Sequence, residues 1–519
     1  VSFKITYAVQ NADMAEVHKA FDAALVEVHR EKGKVLPSWV AGQPRTSGPL
    51  IEARSPVDTR WLMASCHAAT ATDIDDAVKA ARAAQPAWAR MPWPARVAIL
   101  NKAADLISAR VMKYGAITAL EVGKNRLESL GDVEEAADLI RYYAGQVEKT
   151  DGFVTPLTRL SPDEDVRSVL RPFGVFAVIA PFNFPMALSA GSSGAALAAG
   201  NAVVLKPSED SPWVAECLHE CLTEAGVPAG VFSMLHGTGA DVGETLARHP
   251  GIDGVAFTGS TNVGRKLFAI MNEGVNRPAL LEMGGKNSCI INEDADVALA
   301  AMGCSKSAFG LSGQKCSALS RVYVHRSLHD EFLRLLKENA SKLAIGDPTD
   351  ADVYMGPVTN SAAVARYLGA VESVKAGGGT IVYGGERLVD GAFEHGHFVA
   401  PTIASLPADH ELYSRELFLP FVGVTPVDSL EEALELANGT DYGLTAGYYG
   451  KGQAGIDTYL ERIESGCVYV NRGAGATTGA WPGVQAFCGW KGSGSTGKGA
   501  CGPWYVMQFL REQSRTQVM

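Results

Sequence analysis

Four short apolar runs between residues 175 and 257 restrict this chain more than any other feature. Val175-Phe176-Ala177-Val178-Ile179-Ala180 is apolar throughout. Ala202-Val203-Val204-Leu205, Val231-Phe232-Ser233-Met234-Leu235 and Gly254-Val255-Ala256-Phe257 follow it. None alternates strictly between apolar and polar residues, so each reads as a strand buried on both faces. The intervals carry helical patterns at 195–199, at 213–225 and around Leu246. Alternating strands and helices of this kind build a mostly parallel, doubly wound sheet. After Glu282 a second cycle begins, with strands near Ile290, Val322, Ile381 and Val422 and helices near Leu336, Ala365 and Ala433. The expected fold class is therefore α/β, with two doubly wound parallel-sheet domains and a cleft between them. A length of 519 residues, too much for one typical core, agrees.

Upstream of residue 169 the texture is helical. Met14, Val17, Phe21, Leu25 and Val28 recur at helical spacing. The stretch 37–56 is turn-rich and expected to be extended. Thr72-Asp73-Ile74-Asp75 reads as a capping box opening a helix whose apolar face is Ile74, Ala77, Val78 and Ala81. Long helical patterns then cover 96–120 and 132–146.

Composition excludes several roles. The formal net charge of −11 argues against nucleic acid or an anionic membrane as main partner. No apolar run is long and pure enough to span a bilayer. Nine cysteines, an odd number without regular spacing, suggest neither a disulfide framework nor a zinc site. His236 and the other histidines form no metal-ligand spacing, so no metal is expected. Asp13, Glu16, Asp22 and Glu27 in the first thirty residues fit neither a secretory nor a transit segment. A cytoplasmic location is expected.

The chemistry centres on Gly313-Gln314-Lys315-Cys316-Ser317-Ala318, which leads into the strand pattern Arg321-Val322-Tyr323-Val324. Alone, such a cysteine behaves as a small hydrophobe. Its upstream company changes the reading: Asn183 in Pro-Phe-Asn-Phe-Pro and Glu282 in Leu-Glu-Met-Gly-Gly-Lys. A soft nucleophile, a neutral amide donor and a carboxylate base are the parts needed to form and break a thioester. Gly259-Ser260-Thr261-Asn262-Val263-Gly264 follows a strand and opens a helix, where free N–H groups suit a phosphate. Its G-x4-G spacing is neither the dinucleotide fingerprint nor a Walker A loop. Lys206-Pro207-Ser208-Glu209 also follows a strand, at the edge where open α/β sheets bind ligands.

Pro-Phe-Asn-Phe-Pro, Lys-Pro-Ser-Glu, Phe-Thr-Gly-Ser-Thr, Leu-Glu-Met-Gly-Gly-Lys, Gly-Gln-Lys-Cys and Glu-Leu-Phe occur in this order from about residue 56 onward. In this the chain resembles the aldehyde dehydrogenase superfamily. The resemblance implies an NAD-binding domain over 51–282, interrupted near 150–170 by part of an oligomerisation ribbon. It further implies an N-terminal arm over 1–50, a catalytic domain over 283–480, and an anchor loop with a C-terminal ribbon strand over 481–519, the strand at 505–510. Carried over, Cys316 attacks the aldehyde carbon, Asn183 and the Cys316 N–H hold the oxyanion, and Glu282 activates the hydrolytic water. Lys206 and Glu209 hold the adenosine ribose, Gly259 and Ser260 the pyrophosphate, and Glu416 with Phe418 the nicotinamide ribose and ring. A carboxylate at Glu209 repels a 2′-phosphate, which favours NAD, with NADP as the alternative. The superfamily's ribbon implies a homodimer or higher homo-oligomer.

Ser317 and the loop Thr478-Gly479-Ala480-Trp481-Pro482-Gly483 resemble the branch that oxidises L-glutamate γ-semialdehyde. There the serine hydroxyl and the amides of Gly479 and Ala480 grip the substrate α-carboxylate, a nest of N–H groups suited to an anion. Phe184 and Phe487 flank its aliphatic middle. The chain departs from the branch at Ala486-Phe487-Cys488-Gly489, at the bulky Trp481-Pro482, at Leu419, and at Asp132, where a glutamate facing the substrate amine is expected. Another aliphatic or aromatic aldehyde is the alternative substrate.

Overall fold

A computed structural model of the chain describes residues 14–519. The four apolar runs form the middle of a seven-stranded sheet ordered Ala279–Glu282, Gly254–Thr258, Val175–Ile179, Ala202–Lys206, Phe232–Met234, Ser38–Val40, Gln43–Arg45. Its first five strands are mutually parallel. All residues of Val175–Ile179 and Ala202–Lys206 are buried, as uninterrupted apolar runs covered by helices on both faces require. The last two strands are antiparallel and come from the region read as an N-terminal arm. That reading needs correction: residues 38–45 extend the sheet, and an intermediate three-stranded sheet uses Lys34–Leu36, Leu62–His67 and Leu50–Arg54. Of the arm, residues 1–13 lie outside the described residues.

The second cycle builds another seven-stranded sheet, in the order Thr380–Tyr383, Thr402–Ser405, Phe421–Val427, Leu319–His325, Asn287–Ile291, Thr445–Tyr449, Cys467–Val470. Only its first strand runs antiparallel to its neighbour. Separate clusters of buried aliphatic and aromatic side chains pack against each sheet, such as Val175, Val204 and Val255 on the first and Val322, Val422 and Phe332 on the second.

Several helices start or break where local chemistry differs from the simple pattern. The capping box is formed by Thr70 and Asp73, two residues before the expected Thr72. Thr70 Oγ1 accepts from the Asp73 N–H at 3.2 Å, and the Asp73 carboxylate accepts from the Thr70 N–H at 2.9 Å. The long pattern at 96–120 is two helices, Trp93–Ala109 and Val111–Val122, divided at Arg110. Gly123 ends the second in the left-handed conformation. The next helix, Arg126–Lys149, is capped by Asn125, whose side chain accepts from the Glu128 N–H.

A further sheet is an antiparallel ribbon of Val154–Pro156, Glu164–Pro172 and Leu510–Val518. The C-terminal strand thus begins where it was expected to end. Val506–Phe509 is instead a 3₁₀ turn, with Val506 and Phe509 buried. Tyr505 packs on Tyr143 and Phe509, and its hydroxyl lies 3.1 Å from Ser192 Oγ. Burial on consecutive sides cannot be satisfied by a strand that alternates its side chains. Among the described residues, no helix is long and apolar enough to cross a membrane.

Candidate active site

Cys316 follows a turn that is unusually constrained. Leu311, Ser312 and Gly313 have φ of 48°, 53° and 67°, a left-handed run that non-glycine residues rarely hold. Three contacts fix it. The Leu311 N–H donates to Glu128 Oε2 at 3.0 Å, Ser312 Oγ donates to Gly356 O at 2.7 Å, and Lys315 pairs with Glu128. A β-carbon on Gly313 would lie 2.0 Å from the Leu419 carbonyl oxygen, so this position must be glycine. Downstream, Asn287 Nδ2 donates to the carbonyls of Cys316 at 2.7 Å and Ala318 at 2.8 Å, while its Oδ1 accepts from the Thr445 N–H at 3.0 Å. Asn287 stitches the cysteine segment to two strands of the second sheet. The one-dimensional pattern gave no sign of it, because a single asparagine before an apolar strand is common.

Asn183 lies just beyond the Val175–Ile179 strand and is buried. Its Nδ2 donates to the Gln314 carbonyl at 2.9 Å, which joins the first sheet's loop to the turn before Cys316. Glu282 ends the Ala279–Glu282 strand, and its Oε2 is buried with no hydrogen-bond partner. Burial pushes its carboxyl up to about 8, offset in part by the Ala500 N–H. Burial also raises the Cys316 thiol well above its ordinary range, and the charges of Glu416 and Glu282 raise it further. The structure therefore gathers Cys316, Asn183 and Glu282 where the two sheets meet. At rest the thiol keeps its proton.

Lys206 ends the Ala202–Lys206 strand and pairs with Glu209 at 2.8 Å. Ser260 precedes the Thr261–Met271 helix without capping it through its side chain, and Thr261 Oγ1 is buried without a partner. That helix start is an open set of donors at the carboxyl ends of the parallel strands, a fitting place for a pyrophosphate. Glu416 Oε1 accepts from the Gly285 N–H at 3.0 Å, and burial pushes its carboxyl up to about 7. A β-carbon on Gly284 would lie 2.1 Å from Glu416 Oε2. Phe418 sits at φ 59°, its ring 6.0 Å from Phe182 at 78°.

The loop after Arg472 is hooked onto the residue following the nucleophile. Thr477 Oγ1 donates to the Ser317 carbonyl at 2.7 Å, and the Thr477 N–H donates to Ser307 Oγ at 3.1 Å. Gly479 follows at φ 112°, where a β-carbon would lie 2.4 Å from the Arg472 guanidinium. Among the described residues, the N–H groups of Gly479 and Ala480 donate to no protein acceptor. Trp481 turns its indole Nε1 to Asp138 Oδ2 at 2.8 Å. Phe184 and Phe487 are half-buried and pack against the same apolar cluster.

Asp132 does not face a substrate. It is fully buried, and its Oδ1 accepts from the Ala187 N–H at 3.0 Å in the first turn of the Pro185–Ala198 helix. A carboxylate there satisfies a helix N-terminus that Phe184 leaves uncapped. Lys124, missed in the sequence, lies 3.6 Å from Asp132 Oδ2 and 3.5 Å above the Phe184 ring, fully buried and with no hydrogen bond. One turn beyond Asp132, Glu135 is near enough for its charge to act on Lys124 and Cys501.

The profile of the aldehyde dehydrogenase family matches residues 39–514. The chain is similar to a 1-pyrroline-5-carboxylate dehydrogenase of Geobacillus sp. (strain WCH70), 36% identical over 506 residues and 96% of each chain. It is 34% identical to an alpha-ketoglutaric semialdehyde dehydrogenase of Bacillus subtilis (strain 168) over 435 residues, 83% of this chain and 88% of the relative. The fold is similar to a crystal structure of 1-pyrroline-5-carboxylate dehydrogenase from Thermus with bound NAD. Its TM-score is 0.94 at 33% identity, over 100% of this chain and 99% of the other.

Proposed function

Because the chain belongs to the aldehyde dehydrogenase family, we propose that it oxidises L-glutamate γ-semialdehyde to glutamate with NAD. The observation that carries this reading is the hook from Thr477 to the Ser317 carbonyl. It ties the loop that carries the unpaired N–H groups of Gly479 and Ala480 to the residue after the nucleophile, and a carboxylate-bearing aldehyde needs such an anion grip. The relatives from Geobacillus and Thermus, described as acting on 1-pyrroline-5-carboxylate, support it.

In this reading the Cys316 thiol gives up its proton to water as Sγ attacks the aldehyde carbon, forming a thiohemiacetal. The Asn183 amide and the Cys316 N–H stabilise the oxyanion. When bound, NAD would supply the two-electron acceptor. Lys206, Glu209, Gly259 and Ser260 would hold its adenosine side, and Glu416 and Phe418 its nicotinamide half. The Glu209 carboxylate and the NAD-bound Thermus structure favour NAD over NADP. Loss of hydride leaves a thioester on Cys316. Glu282 then takes a proton from water, whose oxygen adds to the thioester carbon, and glutamate departs with regeneration of Cys316. Ser317 with Gly479 and Ala480 grips the α-carboxylate, and Phe184 and Phe487 line the aliphatic chain. An NAD-binding domain that ends at Glu282 and includes the strands of residues 38–45, a catalytic domain at 283–480 and a ribbon, the assembly into a homodimer or larger oligomer, and a cytoplasmic location belong to the same proposal.

The test is NADH formation by the purified protein with glutamate γ-semialdehyde, beside succinic semialdehyde, propanal and benzaldehyde. A marked preference for the first is expected, with KM raised tenfold or more in Ser317→Ala, the loss of about 1.4 kcal/mol that a hydrogen bond to a charged group represents. Equal use of benzaldehyde, or an unchanged KM in that variant, would retire the substrate assignment and leave the aldehyde chemistry standing.

A further inference from the structure

At the root of the ribbon, far from the nucleophile, lies a cavity of about 530 Å³ lined by five arginines and no carboxylate: Arg90, Arg96, Arg171, Arg511 and Arg515. The Pro185–Ala198 helix begins beside Phe184 and ends at this cavity, so its 14 residues put about 20 Å between the two places. None of the five arginines makes an ion pair among the described residues, in a chain of net charge −11.

The arrangement is costly as it stands. Arg171 and Arg511 are directly opposite in the antiparallel ladder, and like charges so placed repel. Arg171 Nη1 and the Nε and Nη2 of Arg515 converge on one neutral acceptor, Gln513 Oε1, at 3.3, 3.0 and 2.9 Å. By contrast Arg167, opposite Arg515, has Asp165 at 2.8 Å. Arg96 forms the floor at 8% exposure. Its Nη1 and Nη2 donate to the carbonyls of Met91 and Ala198, but its Nε is buried with no partner. Arg511 lies 5.8 Å over the Phe173 ring, and Trp93 adds a second aromatic wall.

Guanidinium forks held by neutral groups, with one buried N–H to spare, match the oxygens of a multiply charged anion. We propose that this cavity is a binding site for a compact phosphate-bearing anion, separate from the catalytic cleft. An extended polyanion does not suit it, because the chain as a whole is acidic. Inorganic diphosphate and the phosphates of a nucleotide share the required chemistry.

The experiment is isothermal titration of the whole protein with diphosphate, and separately with ADP, in 150 mM salt and with the dinucleotide site saturated by NAD. Saturable binding of one anion per chain is expected, with a rise in Tm as the ligand stabilises the folded state. Affinity should fall at least tenfold in Arg171→Gln/Arg511→Gln, with NADH formation and sedimenting mass unchanged. Tighter binding of ADP than of diphosphate would identify a nucleotide, and equal binding the phosphates alone. Absence of saturable binding to the wild type would overturn the proposal, as would equal affinity in the double variant. A double variant that changes oligomer mass, with no anion bound by the wild type, would assign the cavity to a subunit interface instead.

Discussion

Asn183 and Glu282 were legible in the sequence because few other roles call for an amide and a carboxylate in those settings beside a candidate nucleophile. Their states were not, since burial decides them. Asn183 is buried and already donates to Gln314, so its amide is held in place before any oxyanion forms. Asn183→Ala should lower kcat by about 10²–10³ with little change in the far-ultraviolet spectrum, as measured by steady-state NADH formation. Glu282 has its carboxyl pushed up to about 8 against an ordinary 4.5. Between those values the folded protein binds more protons than the unfolded chain, so this group's contribution falls as pH rises from about 4.5 to about 8. Urea midpoints at pH 5 and pH 8.5 should differ less in Glu282→Gln than in the wild type. As the proposed base, the same group must be ionised to work. The deacylation rate of the wild type should therefore rise with pH through about 8, and single-turnover measurements would show whether it does. Asn287 and Lys124 escaped notice because an isolated polar residue acquires meaning only from what the fold sets against it.

At the scale of elements, the parallel strands were readable from their unbroken apolar runs, and the misplacements all have local causes. Thr70 won the cap over Thr72 because its hydroxyl reaches the Asp73 N–H while the Asp73 carboxylate reaches back. The segment 505–510 has a strand-like composition, yet Tyr505, Val506 and Phe509 are all buried in the core and force a tight turn before the strand begins. The helix Arg126–Lys149 braces the loop carrying Asn183 and Phe184, for Asp132 on it meets the first turn of the Pro185–Ala198 helix. Asp132→Ala removes one partner of a fully buried pair and strands Lys124. A loss of about 3–5 kcal/mol is expected, visible as a lower urea midpoint. Lys124→Met in the same background should recover much of it. If the double variant is no more stable than the single one, the pair is not coupled.

For the whole molecule, two sheets carry complementary halves of the chemistry. The first brings Asn183, Lys206, Ser260 and Glu282 to the carboxyl ends of its strands or to the loops that follow them, and the second brings Cys316 and Glu416 in the segments that lead into its strands Leu319–His325 and Phe421–Val427. This division was foreseeable from the two strand–helix cycles. The extension of the first sheet by residues 38–45 was not, because strands of three residues leave no periodic signal. The ribbon's central strand, Glu164–Pro172, is hydrogen-bonded on both sides. Proline cannot donate to a ladder, so Ser168→Pro should loosen the ribbon and lower the sedimenting mass if it joins subunits. An unchanged mass would locate assembly elsewhere. The Lys124 ammonium over the Phe184 ring bears on how such an enzyme adapts. In the proposed reading Phe184 lines the substrate's path, and it also shelters a buried cation, so a smaller side chain there would widen the path and leave that cation worse solvated in one step. Lineages that change substrate through this position should have altered Lys124 first or together with it, and a library randomised at Phe184 alone should return few folded members.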